Sequence, residues 1–248
     1  MAPSPAFLKL YGDLPRQGVG TDWCTREAIH RLPPLRKPPA ILDLGCGSGR
    51  QTMVLAQHFR TLIAAVDQCQ LFLDQMMEAA EASGVAEFIQ PRCENIRRLP
   101  DPPASFDLVW GEGVASLLGF ANALRTWGAL LRGRGVLVLS EPTWLSSRPS
   151  AQAEAFWRAA YPEMTDIQGN LDIAKKNGMP VFDHFVLPKS AWWDEYLGPL
   201  SRQAAALRQD GEDNPELGGL IDDALDRVSL FERYGDSFGY VFYLMRPA

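Results

Sequence analysis

A glycine-rich turn over residues 41–49 is the segment of this sequence best suited to chemistry. Ile41-Leu-Asp-Leu-Gly-Cys-Gly-Ser-Gly49 is a short apolar run that ends in glycines and leads into a predicted helix over 50–59. Glycines at such a turn let the backbone approach a ligand closely. The spacing is GxGxG, with Arg50 where a dinucleotide fingerprint has its last Gly or Ala, and with the carboxylate of Asp43 just before the turn. Because that carboxylate would repel a pyrophosphate, the turn favours a ligand with a cationic part.

Further polar residues follow the next apolar runs. Asp67 ends the run 61–67, Asn95 comes after the run 88–90, and Glu112 lies between two glycines after the run 105–110. Ligands of open α/β sheets bind at the carboxyl ends of the strands. These residues are therefore candidates for one site together with the glycine turn.

Over roughly residues 40–141, these segments resemble the motifs of the class I S-adenosylmethionine-dependent methyltransferases. That cofactor carries an ammonium and a sulfonium, which suits the acidic turn. The resemblance implies S-adenosylmethionine as cofactor and S-adenosylhomocysteine as product. It implies that Asp67 holds both ribose hydroxyls and that Asn95 and Ile96 contact the adenine, although Asn stands where the family more often has Asp.

A narrower likeness covers most of the chain. Segments such as 17–20, 110–113 and 192–193 resemble a group of bacterial small-molecule methyltransferases, in the branch similar to the ubiquinone and menaquinone biosynthesis enzymes. It implies that the segment around Arg16 folds over the amino acid end of the cofactor and that Arg16 pairs with its carboxylate. The cofactor-binding residues implied by both resemblances are Arg16, Gly18, Asp43, Gly45, Cys46, Gly47, Gly49, Asp67, Gln68, Asn95, Ile96, Trp110, Gly111 and Glu112.

The elements that position these residues alternate between short apolar runs and helical stretches. This alternation is typical of a parallel sheet wound with helices. With the resemblance, it predicts an α/β fold of the Rossmann-like methyltransferase type, with a mostly parallel seven-stranded sheet, an antiparallel C-terminal strand and helical cap additions. The predicted strands are 40–44, 61–67, 88–90, 105–110, 135–141, 181–187 and 238–245.

A single methyltransferase domain over 1–248 is expected from the chain length of 248 residues. Its cofactor-binding core would span about 37–145, and cap additions would span about 1–32, 146–180 and 189–235. The additions are rich in aromatic residues that must be buried, so we expect them to close over a small, largely apolar acceptor pocket. Four tryptophans are candidates either for stacking on a flat acceptor or for simple packing, namely Trp144, Trp157, Trp192 and Trp193.

The composition limits the partners of the protein. Lys and Arg number 24 against 30 Asp and Glu, which gives a net charge of −6 and disfavours nucleic acid. The four cysteines are scattered without zinc-ligand spacing, so no metal site is expected. No run is long and apolar enough for a signal peptide or a membrane span, and we therefore expect a cytoplasmic protein without a membrane partner.

No essential catalytic residue is predicted, because methyl transfer from a sulfonium requires mainly alignment and desolvation. Glu112 and His184 are weak candidates for a base. For Glu112 the alternatives are an anchor for the cofactor ammonium and a water-facing acid, and for His184 a core histidine is the simpler interpretation. Two alternatives to a small-molecule methyltransferase stay open. One is methylation of nucleic acid or protein, and the other is a protein that binds the cofactor without turnover.

Overall fold

Seven strands form one sheet in the computed structural model, which describes residues 3–248. Along the sheet their order is β3-β2-β1-β4-β5-β7-β6. The strands are β1 Ile41–Leu44, β2 Ile63–Asp67, β3 Ile89–Cys93, β4 Phe106–Glu112, β5 Leu131–Trp144, β6 Val181–Val186 and β7 Phe238–Met245.

Strands β1 to β5 are parallel to one another, and β7 is antiparallel to both of its neighbours, β5 and β6. The predicted fold, a mostly parallel seven-stranded sheet with an antiparallel C-terminal strand, is therefore confirmed. The topological switch lies at β1, from which the chain runs first toward β3 and then back to β4. Crevices at such switch points are the usual ligand sites of open α/β sheets.

Helices of very different length precede the first strand and connect the others. They are α1 Pro5–Tyr11, α2 Asp22–His30, α3 Arg50–Phe59, α4 Gln70–Ala82, α5 Phe120–Gly128, α6 Ala151–Ala160, α7 Ile167–Lys176, α8 Ser190–Trp192, α9 Gly198–Ala206, α10 Arg208–Asp213 and α11 Pro215–Tyr234. A π-helical turn over Trp193–Leu197 joins α8 to α9.

Apolar residues recur at helical spacing between β4 and β5, from Val114 to Leu131, but this segment is not one continuous helix. The structure divides it into a 3₁₀ turn, Ala115–Leu117, and α5, which starts after Gly119 with φ +82°. This backbone conformation cannot continue a right-handed helix. Strand β5 also starts at Leu131, four residues before the predicted glycine boundary at Gly135.

Both faces of the sheet are covered, as expected for parallel strands that are buried on two sides. In β1, Ile41 packs in one hydrophobic cluster while Leu42 and Leu44 pack in the other, because successive strand residues point to opposite faces. The second cluster includes Trp127 of α5 and Ala174 of α7. The helices of the N-terminal segment and α11 contribute to the first cluster.

A long insertion over residues 145–237 separates β5 from β7, although these two strands are direct neighbours. Trp144 pairs with Phe238, and the Leu145 N–H donates to the Ser237 carbonyl at 2.9 Å. The two ends of the insertion therefore lie side by side, and β6 within it forms the edge of the same sheet. The first two residues of the predicted N-terminal addition lie outside the described residues. Among the helices within 3–248, none has the length and apolar character needed to cross a membrane.

Candidate active site

A cavity of about 520 Å³ lies at the carboxyl ends of the parallel strands, next to the glycine turn. One end is polar and is lined by Arg16, Gln17, Gly18, Gly45, Cys46, Gly47, Ser48, Arg50, Asp67, Gln68, Asn95, Ile96 and Glu112. The other end is lined mainly by the aromatic side chains of Phe156, Trp157, Trp192, Tyr196 and Tyr240, with Arg227 among them. The cavity thus connects the sequence-predicted site with the insertion.

The glycine turn is tightly packed from outside the cavity. At Gly49, φ is +83° and an added Cβ would collide with Met76 of α4. At Gly45, φ is +63° and a Cβ would collide with Val114. Positive φ together with this close contact makes glycine necessary at both positions. The turn is thereby fixed in a shape that leaves its backbone on the cavity wall.

Asp67 lies where β2 ends, on the cavity wall. Its Oδ2 accepts a hydrogen bond from the Gly47 N–H, and its Oδ1 accepts one from the Cys69 N–H, both at 2.9 Å. A carboxylate oxygen has room for more than one donor. Asp67 therefore orients the glycine turn and keeps acceptor capacity toward the cavity.

Asp43 is not at the cavity wall, in contrast to the predicted cofactor contact. Its side chain is fully buried, Thr52 Oγ1 donates to its Oδ2 at 2.6 Å, and Gln51 Nε2 lies 3.5 Å from its Oδ1. Burial raises the pKa of Asp43 to about 7, against the lowering effect of these two partners. Asp43 therefore connects β1 to α3, and Gln51 relays that connection to the turn through the Cys46 carbonyl at 3.3 Å.

Arg16 is at the centre of an ion cluster at the polar end of the cavity. Its guanidinium contacts Glu112 at 3.2 Å, Asp22 at 3.3 Å and Glu195 at 3.4 Å, and its side chain is only 6% exposed. Arg50 contacts Asp22 at 3.2 Å and Glu195 at 3.6 Å. The cluster thereby joins the N-terminal segment, α3, the end of β4 and the insertion.

Glu112 is the most buried acid of this cluster. Its Oε1 accepts hydrogen bonds from Thr25 Oγ1 at 2.8 Å and from Trp110 Nε1 at 3.0 Å, while its Oε2 faces Arg16. Burial raises the pKa of Glu112, and the Arg16 charge and the two neutral donors oppose that shift. With three donors around it, the carboxylate is held in place on the wall and does not face water.

The segment around Gln17 lies directly on the glycine turn. Gln17 Oε1 accepts hydrogen bonds from the Ser48 N–H at 3.0 Å and from Ser48 Oγ at 2.9 Å. Gln17 Nε2 donates to the Leu14 carbonyl at 3.1 Å. Hydrogen bonds therefore hold the N-terminal segment across the glycine turn that precedes α3.

Arg227 of α11 has different surroundings at the aromatic end. Its Nη1 donates to the Tyr196 hydroxyl at 2.6 Å, and Tyr11 and Tyr240 are the other titratable groups near it. Within residues 3–248 it forms no salt bridge. Burial raises the pKa of Tyr11 to about 12 and raises that of Tyr240 further, so both remain neutral at physiological pH.

A buried acid, Glu141 of β5, lies behind this end of the cavity. It is 1% exposed, and neither carboxyl oxygen has a hydrogen-bond partner among the described residues. Burial raises its pKa to about 8, and the nearby Tyr161 hydroxyl and Ser116 amide only partly oppose the shift. Glu141 is thus mainly protonated at neutral pH.

The four tryptophans predicted as acceptor contacts or packing residues lie in different places. Trp157 and Trp192 line the cavity, whereas Trp144 packs edge-on against Phe238 and Trp193 is 39% exposed away from the cavity.

The suggestion that His184 is a base or a core histidine was wrong. It lies exposed on the edge strand β6, outside the cavity, because the alternation of β6 turns it to solvent.

Three further residues of the predicted cofactor set do not reach the cavity wall. Trp110 is fully buried and reaches the site only through its hydrogen bond to Glu112. Gly111 is enclosed by Val114 and Leu139, and Gly49 faces Met76. The other ten of the implied set, apart from Asp43, lie on the wall, namely Arg16, Gly18, Gly45, Cys46, Gly47, Asp67, Gln68, Asn95, Ile96 and Glu112.

Sequence reasoning missed Gln17, Arg50, Tyr196, Tyr240 and Arg227 as wall residues. A signal for Arg227 exists in the sequence, since it lies three residues after Ala224 and four before Phe231 on the apolar face of α11. An arginine on such a face indicates a polar partner inside the protein. The partners of Arg16 left no comparable signal, because they come from segments far apart in the chain.

Comparison with known proteins shows what the chain is similar to. Residues 41–135 match the family model described as "Methyltransferase domain". The chain superimposes over its full length on 99% of a methyltransferase from Geobacter sulfurreducens solved with S-adenosyl-L-homocysteine, with a TM-score of 0.82 and 18% identity. The chain thus contains a segment similar to a methyltransferase domain, and its overall fold is that of an S-adenosylmethionine-dependent methyltransferase.

Two curated relatives match parts of the chain. One is the 27-O-demethylrifamycin SV methyltransferase of Amycolatopsis mediterranei, 25% identical over 123 residues, which are 49% of this chain and 45% of the relative. The other is the tRNA U34 carboxymethyltransferase of Pectobacterium atrosepticum, 32% identical over 94 residues, which are 38% of this chain and 28% of the relative. The chain thus spans less than half the length of either curated relative.

Proposed function

We propose that this protein transfers the methyl group of S-adenosylmethionine to a small-molecule acceptor by in-line displacement. The observation that carries the proposal is the continuity of the cavity, which joins the glycine turn and Asp67 at one end to Trp157, Trp192 and Tyr240 at the other. A donor held at the polar end and an acceptor held at the aromatic end would share one enclosed space.

The polar end fits the chemical groups of the donor. Asp67 retains acceptor capacity for ribose hydroxyls, and Asn95 with the Ile96 backbone lies on the same wall for the adenine. Arg16 and Glu112 offer opposite charges for a carboxylate and an ammonium. An added Cβ at Gly18 would meet no atom within 4 Å, so the segment above the turn leaves space there.

When bound, S-adenosylmethionine supplies a methyl group on a cationic sulfur, and the C–S bond electrons remain on the sulfur as the new bond to the acceptor forms. The residues of this chain then have to align the acceptor and exclude water. Trp157 and Trp192 are 8% and 2% exposed, and they form a rigid apolar wall for this purpose. Glu112 holds the polar end in place through Arg16, Thr25 and Trp110 and is not free to act as a base.

A small acceptor is favoured over a macromolecule by three features. The acceptor end is walled by aromatic side chains, the chain carries a net charge of −6, and the curated relative from Amycolatopsis mediterranei is named for a small molecule. The tRNA-related match covers a smaller share of both chains. A protein that binds S-adenosylmethionine without turnover would have the same polar end, and only a measurement of activity distinguishes it from an enzyme.

A turnover assay tests the proposal. The protein is incubated with methyl-labelled S-adenosylmethionine and a panel of small phenols, amines and carboxylic acids, and labelled products are detected by mass spectrometry. We expect product from at least one small acceptor, with little or none from the Asp67→Ala variant. Methylation of bulk tRNA or protein instead, or tight donor binding without any turnover, would refute it.

A further inference from the structure

Arg227 is a cationic side chain on the cavity wall that the methyl donor does not explain. It lies among aromatic lining residues and forms no salt bridge with the described residues. Two other arginines of this wall are different, since Arg16 contacts three carboxylates and Arg50 contacts two. A guanidinium in a partly desolvated site is costly without an anion.

The guanidinium of Arg227 is nevertheless held in a defined position. Nη1 donates to the Tyr196 hydroxyl at 2.6 Å, and Tyr196 itself is 5% exposed. The hydrogen-bonding neighbours of the guanidinium are two tyrosine hydroxyls, those of Tyr196 and Tyr11. Arginine presents five N–H donors as a planar fork that suits carboxylate and phosphate oxygens. Donors of this fork therefore remain for a ligand.

The neighbouring hydroxyls add further donors without supplying a negative charge. The Tyr196 oxygen accepts from Arg227, which leaves its own proton to donate. Burial raises the pKa of Tyr11 to about 12 and also raises that of Tyr240, so neither side chain is an anionic partner for Arg227 at neutral pH. The charge of the subsite is thus left for a ligand to balance.

Aromatic side chains determine what surrounds the anion. Trp192 stacks on Phe231 with ring centroids 4.9 Å apart and meets Tyr240 edge-on at 5.1 Å. These rings, with Phe156 and Trp157, form the apolar part of the same wall. A ligand here combines an anionic group with a flat or apolar body.

We propose that Arg227 and Tyr196 form an anion subsite that binds a carboxylate or phosphate group carried by an aromatic or apolar methyl acceptor. This inference rests on the proposed function, because it assigns the anion to the acceptor. It narrows the substrate class from small molecules in general to small organic acids. The methylated atom lies on the part of the acceptor that points toward the polar end.

A direct test measures binding of matched probes. Dissociation constants of phenylacetate, phenyl phosphate and neutral phenylacetamide are measured by ligand-observed NMR at saturating S-adenosylhomocysteine. The variants are Arg227→Gln and Arg227→Lys. The control is Arg233→Gln, which removes the same charge from an exposed position of the same helix.

For the wild-type protein and Arg233→Gln, we expect at least one anion to bind about tenfold or more tightly than the amide, as a charge-assisted pair would give. Arg227→Gln should lose this preference, and Arg227→Lys should keep part of it. The comparison of phenylacetate with phenyl phosphate distinguishes a carboxylate site from a phosphate site. Tyr196→Phe removes the positioning hydroxyl and should also weaken the anion preference. It replaces Arg227→Gln as the test variant if Arg227→Gln does not fold.

The proposal is overturned if the wild-type protein does not prefer either anion over the amide, or if the preference persists in Arg227→Gln. Binding of S-adenosylhomocysteine is measured separately by calorimetry in every variant and should change by less than about twofold. Absence of S-adenosylhomocysteine binding to the wild-type protein would refute the proposed function. Absence of the anion preference while that binding is present would refute only the subsite.

Discussion

Two arginines line one cavity from opposite ends, and their surroundings differ in kind. Arg16 is nearly enclosed and contacts the carboxylates of Glu112, Asp22 and Glu195. Arg227 contacts a tyrosine hydroxyl and, within the described residues, forms no salt bridge. The charge of the first arginine is already opposed by three carboxylates, and the second arginine has no anion beside it among the described residues.

This difference teaches which part of the site is prebuilt. At the polar end, hydrogen bonds from Gly47, Cys69, Thr25 and Trp110 already orient the two wall carboxylates, Asp67 and Glu112. The free-energy cost of reorganising such a site when a ligand binds is therefore small. At the aromatic end, Arg227 has hydroxyl neighbours and no carboxylate partner among the described residues. An anionic acceptor is therefore expected to complete that end.

The largest expected effect comes from removing the paired arginine. Arg16→Gln leaves Glu112 buried without its counter-charge, which typically costs about 3–5 kcal/mol of unfolding free energy. Arg227→Gln removes the arginine without a salt bridge and should leave the unfolding free energy unchanged or higher. Urea denaturation of both variants at neutral pH measures the contrast. Equal losses in the two variants would contradict the difference between the two ends.

Loss of an acceptor group at the polar end should come next in size. Asp67→Ala removes the two charge-assisted hydrogen bonds that we propose for the ribose, about 3 kcal/mol in total, and should weaken S-adenosylhomocysteine binding about a hundredfold. Asp74→Ala is the matched control, because Asp74 is an exposed acid on α4 whose side chain accepts a hydrogen bond from Gln70. Calorimetry that finds the same affinity in both variants would remove Asp67 from the donor site.

A pH-dependent effect concerns Glu141, the buried acid behind the aromatic end. Its folded-state pKa of about 8 lies above the ordinary value of 4.5, so the folded protein binds the extra proton between these values. The unfolding free energy of the wild-type protein should therefore fall as pH rises through this window, by up to about 1.4 kcal/mol per pH unit from this group. Glu141→Gln should not show this contribution.

Urea denaturation of wild type and Glu141→Gln at a series of pH values checks this effect. The difference in unfolding free energy should move in favour of Glu141→Gln with rising pH and become constant above about pH 8. A difference that stays the same at every pH would show that Glu141 is balanced by a partner after all. The Asp43 pKa of about 7 affects both proteins equally and cancels in the comparison.

The sequence predicted the sheet and the polar wall well, because both depend on local patterns. Apolar runs specify the strands, and glycines with Asp67 directly after a strand specify the turn and its acid. Asp43 shows where such reasoning fails, since its side chain turned to Thr52 and Gln51 and not to the cavity. The environment of Arg16 was not predictable either, because its three acids come from α2, β4 and the π-helical turn. Only tertiary packing brings these segments together.

The place where the insertion joins the sheet has a consequence for how such a protein can change over generations. Trp144 and Phe238 are paired neighbours in the sheet, so everything between them is a cassette whose two ends coincide. Arg227, Tyr196 and Trp192 all belong to this cassette, while the glycine turn and Asp67 do not. Variation within the cassette can therefore change the proposed acceptor subsite while the glycine turn and Asp67 stay as they are, although Glu195 of the cassette also contacts Arg16.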